Sequence, residues 1–189
     1  MSTPYRLTIA DLVGTPDDGN RYELIDGELY VTTQPDWRHQ RTCDQFTRRL
    51  MNWDDETQGG VTLGEPGVIF APDQAVAPDV LWISRDRVGR VLGESPDGRL
   101  YNAPDLVVEV LSPGKDNEDR DRVRKLSLYS RYGVREYWIA DWRERTIRVY
   151  RHQEAALQLI ATLTADDTLT SPLLPGFAVT LRDLFRMPA

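Results

Sequence analysis

Asp105-Leu106-Val107-Val108-Glu109-Val110-Leu111-Ser112-Pro113-Gly114 decides how this chain is read. Leu106 to Leu111 is a near-continuous apolar run, the pattern of a central strand covered on both faces. Ser112-Pro113-Gly114 stops it. Asp116 to Tyr132 then has the character of a helix, with Asp116, Glu118, Asp119 and Asp121 in its first turns, where the helix dipole favours negative charge. Gly133 sits where a C-terminal cap is expected. Glu136 to Asp141 is the next strand, Thr146 to Tyr150 pairs with it as a hairpin, and Leu157 to Leu163 adds another. Strand, helix and strand in this order predict an α/β fold with a mixed central sheet flanked by helices.

Upstream, Thr8 to Leu12 has the pattern of a short N-capped turn of helix. Arg21 to Thr33 predicts a β-hairpin around Asp26-Gly27, a dipeptide suited to a type I′ turn. This hairpin is an N-terminal addition to the core. A helix starts at Asp36, with Cys43, Phe46, Leu50 and Trp53 on its apolar face, and Gly59-Gly60 ends it. Val61 to Leu63, Gly67 to Phe70 and Ala77 to Ser84 are further strands. Arg85 to Arg99 is polar and glycine-rich, the composition of an exposed connection. Pro172 to Phe177 is expected to be a loop before a short helix near Leu181 to Phe185. The 189 residues are expected to form a single domain, 1–189, with a core at about 36–151.

Composition narrows the function classes. No apolar run is long enough to span a bilayer, and the N-terminus lacks a signal-peptide stretch. A single cysteine, Cys43, rules out an internal disulfide and a cysteine-based zinc cluster. Together these favour the cytoplasm. The net charge of −7 argues against a protein that coats nucleic acid non-specifically. Lys115 to Arg151, however, holds 11 basic and 7 acidic residues, so a net −11 elsewhere offsets a local +4. That segment is either a substrate-facing side or a solvated charged surface. Trp37, Trp53, Trp82, Trp138 and Trp142 are assigned to core or interface rather than to base stacking. Ser112 has no His/Asp partner motif, and no phosphate loop of the Walker type is present.

Two carboxylates stand out because each lies in an apolar strand, where an ionised group is costly without a partner. Asp79 follows Pro78 and precedes Val80-Leu81-Trp82-Ile83; its plainer reading is a turn residue at a strand entry. Glu109 lies inside the central strand; its plainer reading is a carboxylate paired with an arginine. Two such acids on adjacent strands suit Mg²⁺, with Mn²⁺ as a substitute, because these ions take oxygen ligands. Lys125 shares a helical face with Leu128, Tyr129 and Tyr132. Its ammonium would either reach water along a packed stem or stabilise charge on a phosphate. Asp, Glu and Lys around a divalent ion make up the chemistry of phosphodiester hydrolysis.

The order Pro78-Asp79, Glu109-Val110-Leu111, Lys125 resembles the PD-(D/E)XK nuclease superfamily. More closely, the chain resembles a bacterial family of restriction-endonuclease-like proteins long catalogued as a domain of unknown function. The matching segments are Tyr22 to Glu28, His39, Pro78-Asp79-Val80, Pro104 to Pro113, Lys125 to Tyr129, Gly133 to Trp138 and Ser171 to Gly176. The resemblance implies a restriction-endonuclease-like fold and a homodimer. It also implies Mg²⁺-dependent endonuclease activity with DNA as the expected substrate, and Asp79, Glu109 and Lys125 as the catalytic set. The superfamily's usual lysine lies two residues after the acid, where this chain has Leu111; the resemblance implies that Lys125 takes over from the helix. It also raises Glu28 as a further metal ligand, although a hairpin position suits an exposed polar residue equally. His39 is a candidate for contact with phosphate or metal-bound water. The rival expectation is a catalytically inactive nuclease-fold module for binding or assembly, which the acidic net charge and Leu111 both favour.

Overall fold

A computed structural model describes residues 6–16, 18–93 and 98–188. The elements run α1 (Ile9–Leu12), β1 (Arg21–Ile25), β2 (Glu28–Thr32), α2 (Trp37–Thr57), β3 (Gly60–Gly64), β4 (Val68–Ala71), β5 (Gln74–Val76), β6 (Val80–Ser84), α3 (Arg85–Leu92) and β7 (Leu106–Val110). A helical stretch follows: α4 (Lys115–Asp119), a π-helical turn (Arg120–Lys125) and α5 (Leu126–Arg131). The chain closes with β8 (Glu136–Asp141), β9 (Thr146–Gln153), β10 (Ala156–Leu163), β11 (Thr168–Ser171), β12 (Leu174–Thr180) and α6 (Leu181–Leu184).

The central sheet has six strands in the order β10-β9-β8-β7-β6-β3. Only β7 and β8 are parallel, joined by the helical crossover, so the sheet is mixed as expected. All five residues of β7 are buried, because helices cover both faces. Leu106, Val108 and Val110 pack toward Cys43, Phe46, Leu50 and Trp53 of α2. Val107 and Leu111 pack on the opposite face with Leu128 and Tyr129 of α5. Strand alternation therefore sends Glu109 to the face that carries Lys125 and Tyr129.

The Asp26-Gly27 hairpin forms with Ile25 opposite Glu28. Both turn residues have positive φ, 51° and 74°, as a type I′ turn requires. The hairpin does not stand alone. β5 and β4 extend it into a second sheet, β2-β1-β5-β4, and β5 is a three-residue strand that periodicity did not reveal. This sheet brings β1 beside the start of β6.

Two local expectations are corrected. Arg85 to Leu92 is helix α3 rather than an exposed connection, since Val88, Val91 and Leu92 form a short stripe and Val91 is buried; residues 94–97 of that connection lie outside the described residues. The presumed loop at Pro172 to Phe177 is largely the β11–β12 hairpin, whose Leu174 and Phe177 enter the core. Trp53, Trp82 and Trp138 are core residues as expected, but Trp37 is 54% exposed.

Gly60 opens β3 where a Cβ would meet the Ile83 carbonyl and the Trp82 indole. The carbonyl is backbone inside the paired β3–β6 ladder and cannot withdraw. Gly60→Ala is therefore expected to cost about 1–3 kcal/mol by overpacking, read as a lower urea midpoint with an unchanged m-value. An unchanged midpoint would place more freedom in that ladder than the geometry allows.

Candidate active site

β6 and β7 are antiparallel with Val80 opposite Val108 and Leu81 opposite Val107. Continued by one residue, this register sets Asp79 across from Glu109. The Val110 N–H donates to Asp79 Oδ2 at 2.8 Å. The strand entry thus aims a carboxylate at the centre of the sheet, where Asp79 is 3% and Glu109 is 2% exposed.

The helical crossover supplies the lysine. Lys125 is fully buried, and its Nζ lies 2.9 Å from Glu109 Oε1 and 2.9 Å from Glu23 Oε1, with Asp121 Oδ1 at 3.7 Å. Tyr129, one turn on, donates its hydroxyl to the same Glu109 oxygen at 2.7 Å. The π-helical turn is what turns Arg120, Asp121 and Lys125 inward together, and π turns of this kind are common at functional sites. Asp121 is thus a buried member of the site, not an exposed complement to the helix dipole.

The structure brings Asp79, Glu109 and Lys125 together and leaves Glu28 apart. Glu28 has a side chain 60% exposed at the hairpin end, accepting from the Tyr30 hydroxyl and 3.8 Å from Arg124. The hairpin glutamate that reaches the site is Glu23, which accepts from the Ala77 N–H at 2.9 Å. Its Oε2 is buried with no hydrogen-bond partner and has Arg120 Nε 3.7 Å away. Glu23 carries the same signal as Asp79 and Glu109, an acid beside apolar strand residues, in the hairpin where Glu28 is the expected ligand. Arg21 and Glu23 also lie outside the expected core of 36–151.

On the α2 side, His39 is buried with Nε2 3.4 Å from Asp79 Oδ2 and Nδ1 3.5 Å from Cys43 Sγ. His39, Cys43 and Asp79 offer ligand atoms within 4.8 Å of one another. Burial pushes the Cys43 thiol well up, which disfavours the thiolate that binds metals. Carboxylate oxygens are therefore the better donors here. Arg21 completes the surround, with Nη1 3.0 Å from Asp79 Oδ1 and Nη2 3.1 Å from Glu65 Oε1 at the rim.

Arg21, His39, Asp79, Glu109, Arg120 and Asp121 border a cleft of about 330 Å³ whose walls include Asn20, Thr32, Thr33, Gln34 and Gln40. The charges inside are unequal. Glu23, Asp79, Glu109 and Asp121 face three permanent cations, Lys125, Arg120 and Arg21. At His39 burial is outweighed by the Asp79 carboxylate, which raises its pKa, so the fourth positive charge depends on a proton. The imbalance falls on Glu109. Burial and the neighbouring carboxylates outweigh Lys125 and push its pKa up to about 8. Burial also raises Asp121. For Asp79, burial is outweighed by the His39 hydrogen bond and the charges of Arg21 and Lys125, which hold it well below the usual carboxylate range. For Lys125, burial is outweighed by Glu109, Glu23 and Asp121, so the ammonium stays charged. It can orient or polarise a water but cannot accept its proton.

A strand-borne acid pair and a helix-borne lysine beneath a cleft, on a mixed sheet covered by helices, define a restriction-endonuclease-like fold. A family model described as "Putative restriction endonuclease" (Uma2) matches residues 9–182, and the chain belongs to this family. A crystal structure of a "putative nuclease belonging to DUF820" from Anabaena variabilis is similar in fold. The TM-score is 0.75 at 20% identity, covering 95% of this chain and 97% of that one. No curated protein matches the chain. Among the described residues, no helix is long and apolar enough to cross a membrane.

The raised Glu109 pKa has a stability consequence. Against an ordinary value of 4.5, a folded value of about 8 means that the fold favours the protonated acid. Its contribution is complete below about pH 4.5 and is lost as pH rises through about 8. Asp79, with a lowered pKa, acts in the opposite sense and only in acid. Without divalent ions, stability from Glu109 is expected to fall between about pH 5 and pH 8, and Glu109→Gln should flatten that fall. Urea unfolding across this range, with and without the substitution, reads the difference; identical slopes would remove Glu109 as the titrating group.

Proposed function

We propose that the protein is a metal-dependent nuclease that hydrolyses phosphodiester bonds in DNA with Mg²⁺, or Mn²⁺ in its place. The observation that carries this reading is the group of buried carboxylates around Asp79 and Glu109, at a cleft with a charged, buried lysine beneath it. The donor set fits the ion: two hard carboxylate oxygens from adjacent strands, in a site where carboxylates outnumber permanent cations. Asp79 and Glu109 would hold it, and Glu23 would complete the acidic wall in the place first given to Glu28. When bound, such an ion supplies charge neutralisation at the scissile phosphate and lowers the pKa of a water.

The chain's own groups would do the rest. Lys125 would hold the attacking water or the phosphate oxygen from the side opposite Asp79, with Tyr129 and Glu109 fixing its position. Arg21 would leave Asp79 while keeping Glu65, which it already contacts at the rim. His39 would restrain Asp79 from the α2 side.

The second reading, an inactive nuclease-fold module, is favoured by a specific observation. Asp79 already holds Arg21, His39 and the Val110 N–H, so an ion must compete with partners in place.

Two experiments separate the readings. Thermal melting at about pH 8 should rise with Mn²⁺, by roughly 5–10 °C at a metal concentration about 100 times Kd, and by less at about pH 6, where Glu109 holds its proton. No shift at either pH would favour the inactive module. Cleavage of supercoiled, single-stranded and branched DNA should require Mg²⁺ or Mn²⁺ and fall at least about 100-fold in Asp79→Ala and Glu109→Ala. Parental rates in those variants would overturn the site.

A further inference from the structure

The first turn of α2, which borders the cleft, carries an aromatic group that the catalytic set does not use. Asp36 caps α2 by accepting from the Arg38 N–H at 2.7 Å, which fixes the first turn of that helix. Gln34, Pro35, His39 and Gln40 line the cleft, so Trp37 lies between lining residues on both sides. It is one helical turn before Gln40, on the same side of α2. Trp37 is nonetheless 54% exposed, in contrast to the buried tryptophans of the core. The Arg38 guanidinium lies 4.7 Å from the centre of its ring and 5.8 Å from that of Trp142. A large indole, not itself part of the cleft wall, is left with accessible surface among residues that are, beside a cation that leans on it.

The depth of the acids limits what can approach them. Asp79 and Glu109 are almost wholly buried, and the cleft is at the small end of ligand-sized pockets. An intact duplex is stiff and holds its phosphates on a wide cylinder, which meets the rim before a phosphate meets the acids. A strand with unstacked bases can lower one phosphate into the cleft. The cations bordering it, Arg21 and Arg120, and Lys125 beneath it, are all ion-paired with carboxylates. Much of the remaining wall is amide and hydroxyl, from Asn20, Gln34, Gln40, Thr32, Thr33 and Ser112, suited to sugar and base edges. Affinity must therefore come chiefly from stacking and hydrogen bonding rather than from phosphate charge.

We propose that Trp37, together with Arg38, is a stacking platform for an unpaired base, and that the substrate enters as single-stranded DNA or a splayed end. This inference rests on the nuclease reading for its choice of ligand. Trp37 is here a binding residue that contacts a nucleotide next to the one in the cleft.

The test is fluorescence anisotropy with the full chain at low salt, Ca²⁺ replacing Mg²⁺ to prevent cutting. The probes are a labelled oligothymidylate and a labelled blunt hairpin duplex. The single strand should bind more tightly. Trp37→Ala should weaken single-strand binding by roughly 5- to 150-fold, the range of one lost base stack. Trp37→Phe, which keeps a ring, should stay close to the parent, and both variants should melt as the parent does. Equal single-strand affinity in Trp37→Ala, duplex bound as tightly as single strand, or no binding of either probe would each overturn the proposal. Cutting is scored separately with Mg²⁺ and Mn²⁺. Trp37-dependent binding without cutting sinks the nuclease reading and leaves the platform standing; metal-dependent cutting of duplex with Trp37-independent binding does the reverse.

Discussion

The Lys125 ammonium, buried and shared between Glu109 and Glu23, is the interaction on which the rest of the site depends. An unpaired ammonium at that depth would cost several kcal/mol. Its burial therefore commits three separate elements at once: β7 through Glu109, β1 through Glu23 and the helical crossover through Lys125 itself. The β1–β2 hairpin has little independent stability, and its acid is tied to the central sheet's chemistry through this one cation. Arg120, on the same π-helical turn, donates to Thr32 Oγ1 at 2.6 Å and fastens the other hairpin strand.

The same constraint explains the irregular backbone. Arg120, Asp121 and Lys125 all have to face inward, and one wide turn accomplishes this where a uniform α-helix would carry one of them toward solvent. Tyr137 donates its hydroxyl to the Asp121 carbonyl at 2.9 Å, satisfying a backbone group at the π turn. The irregularity is thus anchored from the sheet below it. A regular turn here would separate Arg120 from Glu23 or Lys125 from Glu109.

How much of this was legible in the sequence follows from which residues broke a local rule. Glu109 and Asp79 are acids inside apolar strands, and each violation pointed to the site. Lys125 was visible because Leu128 and Tyr129 mark a buried helical face. Glu23 broke the same rule between Tyr22 and Leu24, yet Glu28 drew the attention because it follows a recognisable turn. Arg21, His39 and Asp121 contribute through tertiary contacts that no periodicity records. Three-residue β5 is shorter than any pattern can show. α3 was obscured because arginines surround its Val88, Val91 and Leu92 stripe, and the π turn differs from an α-helix only in hydrogen-bond register. Trp37 was assigned to core or interface by composition, although α2 turns it outward.

The balance of charge bears on whether the cluster is mere scaffolding. A set of ion pairs that served stability alone would gain from equal numbers of acids and bases, or from replacement by apolar residues of similar volume. Here four carboxylates meet three permanent cations in a site closed on most sides, and only a proton, on Glu109 or on His39, closes the account. Folding around an acid that must hold a proton near neutral pH is unfavourable unless another state relieves it. Under the proposed function, a divalent ion held by Asp79 and Glu109 would provide that relief by taking the place of the proton and of Arg21. The closed arrangement and the proposed active one would then differ by an exchange of cations within a fixed frame. On that reading the cleft is prepared for an exchange of cations, and the uneven charge is part of its function rather than a defect of the scaffold.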